Sequence, residues 1–220
     1  MPDRARARQL AAEYLARGDA TGWFEQLYQE AERGQSTVPW ADLRPNPNLI
    51  EFWRYHPIPA SGKIALKIGC GLGDDAEQLA AWGFQTTAFD ISPSAIRACR
   101  ERFTGSRVQY AVADLLNLPR EWIGRFDFVL ESYTLQVLPP SLREVAIRNV
   151  ADLAGPGGRL LIIARGRDEP DPEGQMPWPL TRRELDAVAQ SGMRQLSFED
   201  YFDENESPPA RRFRALYEKR

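Results

Sequence analysis

With 220 residues and a net charge of −3 at pH 7, the chain is long enough for one well-buried domain and carries no basic field to attract nucleic acid. No run approaches the roughly 20 apolar residues that a membrane span needs. Two cysteines, Cys70 and Cys99, make no disulfide framework and fit a reducing cytoplasm, while one histidine, His56, cannot build a Cys/His or three-histidine metal site.

In chain order, Met1 to Leu10 holds three arginines with no apolar core behind them, unlike a signal peptide. Ala7, Leu10, Ala11, Tyr14 and Leu15 share one helical face over 5–17, and Gly18-Asp19 breaks it. Trp23, Phe24, Leu27, Tyr28 and Ala31 define a second helix over 21–33. Prolines at 39, 45 and 47 exclude a long regular element, and a short helix after Asn48 carries Leu49, Ile50, Phe52 and Trp53. Residues 1–60 are therefore expected to form a helical cap and lid over a core spanning 61–220, the whole being one structural domain. Trp40 and Asp42 are candidates for lining a site under the cap, with core packing the other reading of Trp40. His56 sits in the linker Tyr55-His56-Pro57-Ile58-Pro59.

Lys63-Ile64-Ala65-Leu66-Lys67-Ile68 is an apolar strand that ends at Gly69-Cys70-Gly71-Leu72-Gly73. A helix follows from Asp74-Asp75-Ala76, Gly83 stops it, and a second strand ends in Asp90. This is the nucleotide-binding half of an α/β fold. Its glycines let a ligand approach main-chain N–H groups at a helix N-terminus. Asp90, 19 residues after Gly71, is placed to accept from two ribose hydroxyls. A dinucleotide loop needs a third glycine at 74, where this chain has Asp74. Asp74 and Asp75 complement the helix dipole by roughly 0.3–1 kcal/mol each, but they repel a pyrophosphate. A ligand with an ammonium and a sulfonium, S-adenosylmethionine, suits them.

Ser92-Pro93 starts the next helix. Val108 to Val112 is a third strand with Asp114 and Leu115 at its tip, where a carboxylate can accept from an exocyclic amine or form an Asx turn. Phe126 to Glu131 is a fourth strand leading to Ser132 and Tyr133. A helix begins at Pro139-Pro140-Ser141, Gly155-Pro156-Gly157-Gly158 reads as a turn, and Leu160 to Ala164 reads as a buried fifth strand. Arg165 to Pro179 is a long polar loop, Thr181-Arg182-Arg183-Glu184 is a capping box, and two antiparallel strands, 195–201 and 211–217, close the chain.

The element order, the glycine loop, Asp90, Asp114 and the Pro-Gly-Gly turn at 156–158 resemble class I S-adenosylmethionine-dependent methyltransferases over 61–220. Trp40, Asp75, Pro139-Pro140-Ser141-Leu142-Arg143 and Gly174-Gln175-Met176-Pro177-Trp178 resemble the thiopurine methyltransferase-like group. The resemblance implies a Rossmann-like, mostly parallel seven-stranded sheet with the last strand antiparallel and helices on both faces. It also implies that Gly69, Cys70, Gly71, Gly73 and Asp75 hold the methionine end, Asp90 and Ile91 ribose and adenine, and Asp114 and Leu115 the adenine. Trp40 would join the cofactor site, with Glu131 and Ser132 near the transfer point. Lys67 stands where many of these enzymes carry an acid; it either places like charge near the cofactor's ammonium or snorkels away.

A thiol acceptor needs little general-base help, being partly ionised at neutral pH; for oxygen or nitrogen acceptors Glu131 and Tyr133 are the expected bases. Asp42, Tyr133 and Arg165 are the expected substrate contacts, and Arg165 and Arg167 either bind an anionic group or are solvated loop arginines. The expected acceptor is a small molecule rather than nucleic acid or membrane, and the expected protein is monomeric and metal-free. A non-catalytic cofactor-binding protein and a nicotinamide-dependent oxidoreductase are the alternative readings.

Overall fold

The apolar run Ile64–Ile68 forms β1 at the centre of a sheet, paired in parallel with β2 (Gln85–Asp90) on one side and β4 (Phe126–Ser132) on the other. This computed structural model describes residues 4–220. β3 (Gln109–Val112) extends the sheet beyond β2, and β5 (Ala154–Arg165) pairs in parallel with β4. β7 (Ala210–Lys219) runs antiparallel to β5 and to the edge strand β6 (Met193–Asp203). The resulting order is β3-β2-β1-β4-β5-β7-β6.

Both faces of the sheet are covered, which is why β1, β4 and β5 are apolar on both sides. On one face α6 (Pro140–Leu153) and α7 (Arg182–Gln190) pack Ala146, Ile147, Val150, Leu185 and Val188 onto Leu66, Ile68, Val129, Leu160 and Ile162. On the other, α3 (Pro47–Tyr55) contributes Leu49 and Phe52, and α4 (Asp74–Ala81) contributes Leu79. On that face also, α5 (Pro93–Arg102) sets Ile96 and Cys99 against Ala88 and Tyr110. Arg143 is only 1% exposed; it holds the Leu138 and Trp178 carbonyls and Glu184.

The first helices, α1 (Ala5–Ala16) and α2 (Gly22–Glu32), make a small core of their own from Ala7, Leu10, Trp23 and Leu27 with Met176. Glu25 fastens α2 to the start of α5 by accepting from the Ser92 and Ser94 hydroxyls and the Ser94 amide. Residues 1–3 of the expected cap lie outside the described residues.

The elements follow the expected periods, with two differences. The glycine run at 155–158 is not a free turn before β5 but part of the strand, with a register shift against β4 between Phe126 and Phe128. A Cβ on Gly155 would sit 2.7 Å from the Gly124 carbonyl oxygen, and one on Gly158 2.5 Å from that of Phe126. Close backbone approach is what these glycines allow. β6 and β7 also run longer than expected, because the ladder between them continues to Asp203–Ala210.

Candidate active site

In an open α/β sheet, ligands bind beyond the carboxyl ends of the strands where the order reverses. Here that crevice lies between β1 and β4, and a cavity of about 500 Å³ opens there. Gly69, Cys70 and Gly71 line it after β1, Asp90 and Ile91 after β2, Asp114 and Leu115 after β3, and Ser132 and Tyr133 after β4. Trp40 and Asp42 line it from the segment between α2 and α3, and Arg165 from the end of β5.

The glycine loop is built tight. Gly69, Gly71 and Gly73 all have positive φ, and a Cβ on Gly69 would lie 2.4 Å from Thr134 Oγ1. Gly73 caps α4 from the left-handed region, and Cys99 Sγ donates to the Gly71 carbonyl at 3.2 Å. Trp40 is 36% exposed; its indole N–H donates to the Tyr28 hydroxyl at 2.9 Å, and it meets Trp23, Phe24 and Tyr28 edge-on. It thus both packs and lines the cavity.

The four carboxylates of this region have separate duties. Asp74 forms a two-point ion pair with Arg102, at 3.0 and 2.9 Å, which neutralises it. Asp75 accepts from the Asn46 amide at 2.8 Å and from Ser132 Oγ at 3.0 Å, tying the cap and β4 to the start of α4. Asp90 accepts from the Gly71 amide at 2.9 Å and the Ser92 amide at 3.0 Å. Burial raises its pKa, against those amides and the Lys67 charge. Asp114 makes the Asx turn to the Leu116 amide through Oδ1 at 2.8 Å, leaving Oδ2 without a hydrogen bond among the described residues. The Asx-turn reading of Asp114 is thus realised, with the side chain still on the cavity wall.

Lys67 does not snorkel. It is 2% exposed, and its ammonium donates to the carbonyls of Ile68 at 2.7 Å and Gly69 at 3.3 Å, under the loop and on the cavity wall.

Glu131 departs from the expected role at the transfer point. It is fully buried, does not line the cavity, and accepts through Oε1 from the Thr134 and Leu135 amides at 2.7 and 2.9 Å. It caps the 3-10 turn Leu135–Val137. Its Oε2 is buried without a hydrogen bond among the described residues, and burial pushes the carboxyl up to about 7 against those amides and the Lys67 charge. A group behind the wall cannot take a proton from an acceptor in the cavity without moving. Tyr133 is on the wall, with a φ of 65°, a strained region for a bulky residue. Its hydroxyl accepts from Asn48 Nδ2 at 3.2 Å, and burial raises its pKa. Arg167 is spent on carbonyls of its own loop, those of Asp168, Glu169 and Asp171, and does not line the cavity.

The structure adds wall residues that sequence reasoning missed. Tyr28, Asn46 and Asn48 come from the cap, and Asp203, Glu206 and Arg212 from the β6–β7 hairpin. Asn48, 3% exposed, donates to Asp203 at 2.8 Å and accepts from the Tyr201 hydroxyl. The available signal was an arginine at Arg212 and another at Arg214 inside a strand pattern; both are buried. Among the described residues, no group of three or more His, Cys, Asp or Glu could hold a metal ion, and no helix is long and apolar enough to cross a membrane.

The fold is the Rossmann-like fold of class I methyltransferases, and a family model described as a methyltransferase domain matches residues 65–158. The ubiquinone biosynthesis O-methyltransferase of Xanthomonas axonopodis pv. citri (strain 306) is 32% identical over 124 residues, 56% of this chain and 51% of that protein. The chain thus spans about half the length of the curated relatives it matches. Among solved structures, the 1,6-didemethyltoxoflavin-N1-methyltransferase of Burkholderia thailandensis superposes with a TM-score of 0.68 at 19% identity, covering 99% of this chain and 93% of that one. The N-methyltransferase NodS of Bradyrhizobium japonicum WM9 gives 0.67 at 20% identity, covering 88% and 98%.

Proposed function

We propose that the protein is an S-adenosylmethionine-dependent methyltransferase acting on a small molecule, with a thiol or similarly soft nucleophile as acceptor. The observation that carries the proposal is the single cavity running from the glycine loop, past Asp90 and Asp114, to Tyr133 under the cap. The donor set fits the cofactor. Asp90 at the β2 tip would hold the ribose, Asp114 would receive an adenine amine through its Oδ2, and Asp75 would supply negative charge for the sulfonium and ammonium. The Asn46 Nδ2, buried without a well-formed hydrogen bond among the described residues and beside Tyr133, is a further donor on the same wall.

When bound, the cofactor supplies an electrophilic methyl on a sulfonium. The chain's own part is alignment: in-line displacement needs the nucleophile at near-attack distance, and a closed cavity supplies it. With Glu131 behind the wall, Tyr133 remains of the two expected bases, and a thiol, being partly ionised at neutral pH, needs it least. The thiopurine methyltransferase-like group remains the finer reading. It is supported by Trp40 and Met176 on the wall and by Arg143 pinning the Trp178 carbonyl. A cytoplasmic monomer completes the reading. The buried Lys67 favours the second reading, a cofactor-binding protein with little turnover.

The test is calorimetric titration with S-adenosylhomocysteine, followed by turnover on a thiol panel. Micromolar binding is expected. Absence of saturable binding would sink both readings, and binding without turnover on any thiol, phenol or amine would leave the second.

A further inference from the structure

The wall opposite the glycine loop carries charge that the cofactor does not need. Arg4, Arg165 and Arg212 line it together with Asp203 and Glu206. The two acids differ in kind. Asp203 is buried and fixed, accepting from Asn48 Nδ2, from the Asn205 amide and side chain, and from Arg212 Nε. Glu206 sits on the β6–β7 loop among exposed neighbours, and its carboxylate bridges Arg165, at 2.8 Å, and Arg212. Among the described residues, Arg165 has no other side-chain hydrogen bond and the Arg4 guanidinium has none, its nearest opposite charge being that of Glu206. Burial lowers the pKa of both, with Glu206 the largest opposing charge on each and the exposed Asp42 the weakest of the charges on Arg4.

A half-buried guanidinium without a partner is costly, and the planar fork of arginine matches a carboxylate at two points. The bridge made by Glu206 shows that a carboxylate fits between Arg165 and Arg212, and Arg4 lies near enough to Arg165 for the two charges to repel. We propose that the methyl acceptor carries a carboxylate, which displaces Glu206 from Arg165 and is received by Arg165 and Arg4. The group then lies beside Tyr133, whose ring Arg212 covers at 4.7 Å. Glu206 is an internal competitor that holds the arginines until the acceptor arrives. This proposal rests on the methyl-transfer reading of the cavity.

The experiment uses protein saturated with S-adenosylhomocysteine. Two matched probe pairs are titrated by calorimetry, 3-mercaptobenzoate against 3-mercaptobenzamide and 3,4-dihydroxybenzoate against 3,4-dihydroxybenzamide. At least one carboxylate is expected to bind about tenfold tighter than its amide, the worth of one charge-assisted pair. Arg4→Gln and Arg165→Gln should each remove that preference with homocysteine-product binding unchanged. Glu206→Gln should tighten the carboxylate several-fold, a gain that no purely structural role for Glu206 produces. Equal binding of carboxylate and amide, no binding of either carboxylate, or an unchanged affinity in Glu206→Gln overturns the proposal alone. Failure of S-adenosylhomocysteine to bind the unmodified protein overturns the methyl-transfer reading and takes this proposal with it.

Discussion

Glu131→Gln separates a catalytic carboxylate from a structural one. In the folded chain this carboxyl titrates at about 7, against 4.5 for a free one. The folded state therefore binds more protons than the unfolded state between those values, and stability falls as pH rises through that window. At about 1.4 kcal/mol per pH unit, the loss attributable to Glu131 is about 3 kcal/mol. The attraction of Lys67 and the two amide bonds are already contained in that value. Glutamine keeps an acceptor for the Thr134 and Leu135 amides and cannot ionise, so the variant should lack this part of the pH dependence. Urea unfolding of both proteins at pH 4.5 and pH 8 measures it. All other titrating groups and any constant cost of the amide cancel in the difference between the two pH values. The expected result is a gap that moves in the variant's favour by about 3 kcal/mol, with methyl transfer retained. A gap that does not move refutes the burial argument, and a folded variant with no turnover restores Glu131 as the base.

Gly69→Ala should cost about 2 kcal/mol or more in urea unfolding, from the positive φ and the 2.4 Å approach to Thr134 Oγ1; a neutral result would mean the loop yields. Asp75→Asn should keep the melting temperature within a few degrees but weaken S-adenosylhomocysteine about tenfold, since it keeps an acceptor for the Asn46 amide and removes the charge; unchanged affinity would show that this carboxylate does not face the cofactor. Lys67→Met should destabilise by about 2–4 kcal/mol because the Ile68 and Gly69 carbonyls lose their donor and the buried carboxyl nearby loses its cation. Lys67→Asp should be worse, adding an acid beside Glu131 and Asp90; a stable Lys67→Asp protein that binds S-adenosylhomocysteine more tightly would mean the lysine obstructs the cofactor.

Local periods made most of the fold legible. Helix and strand follow from 3.6- and 2-residue spacing, and the ends follow from Ser92-Pro93, the Thr181–Glu184 box and Gly83, because these signals act within a few residues. The glycine loop and three carboxylates were legible for the same reason: Asp90 ends β2, Asp114 follows β3 and Asp75 opens α4 after the glycine loop, and all three line the cavity. What the chain order could not convey was which way a side chain turns once strands pair. Glu131 and Ser132 are neighbours on β4, yet pleating sends one behind the wall to cap a turn and the other to Asp75. Lys67 is a charge in an apolar strand, and only the packed loop above it supplies the carbonyls that hold it. Asn48 and Asp203 are 155 residues apart, yet they bond, and Arg212 joins both Asp203 and Glu206 through the antiparallel return of β7. Sequence alone determined the elements and the glycine-loop edge of the cavity, since those depend on short-range backbone and dipole effects; the charged wall made by Arg4, Arg165, Glu206 and Arg212 was decided by tertiary packing, which brings distant charges together.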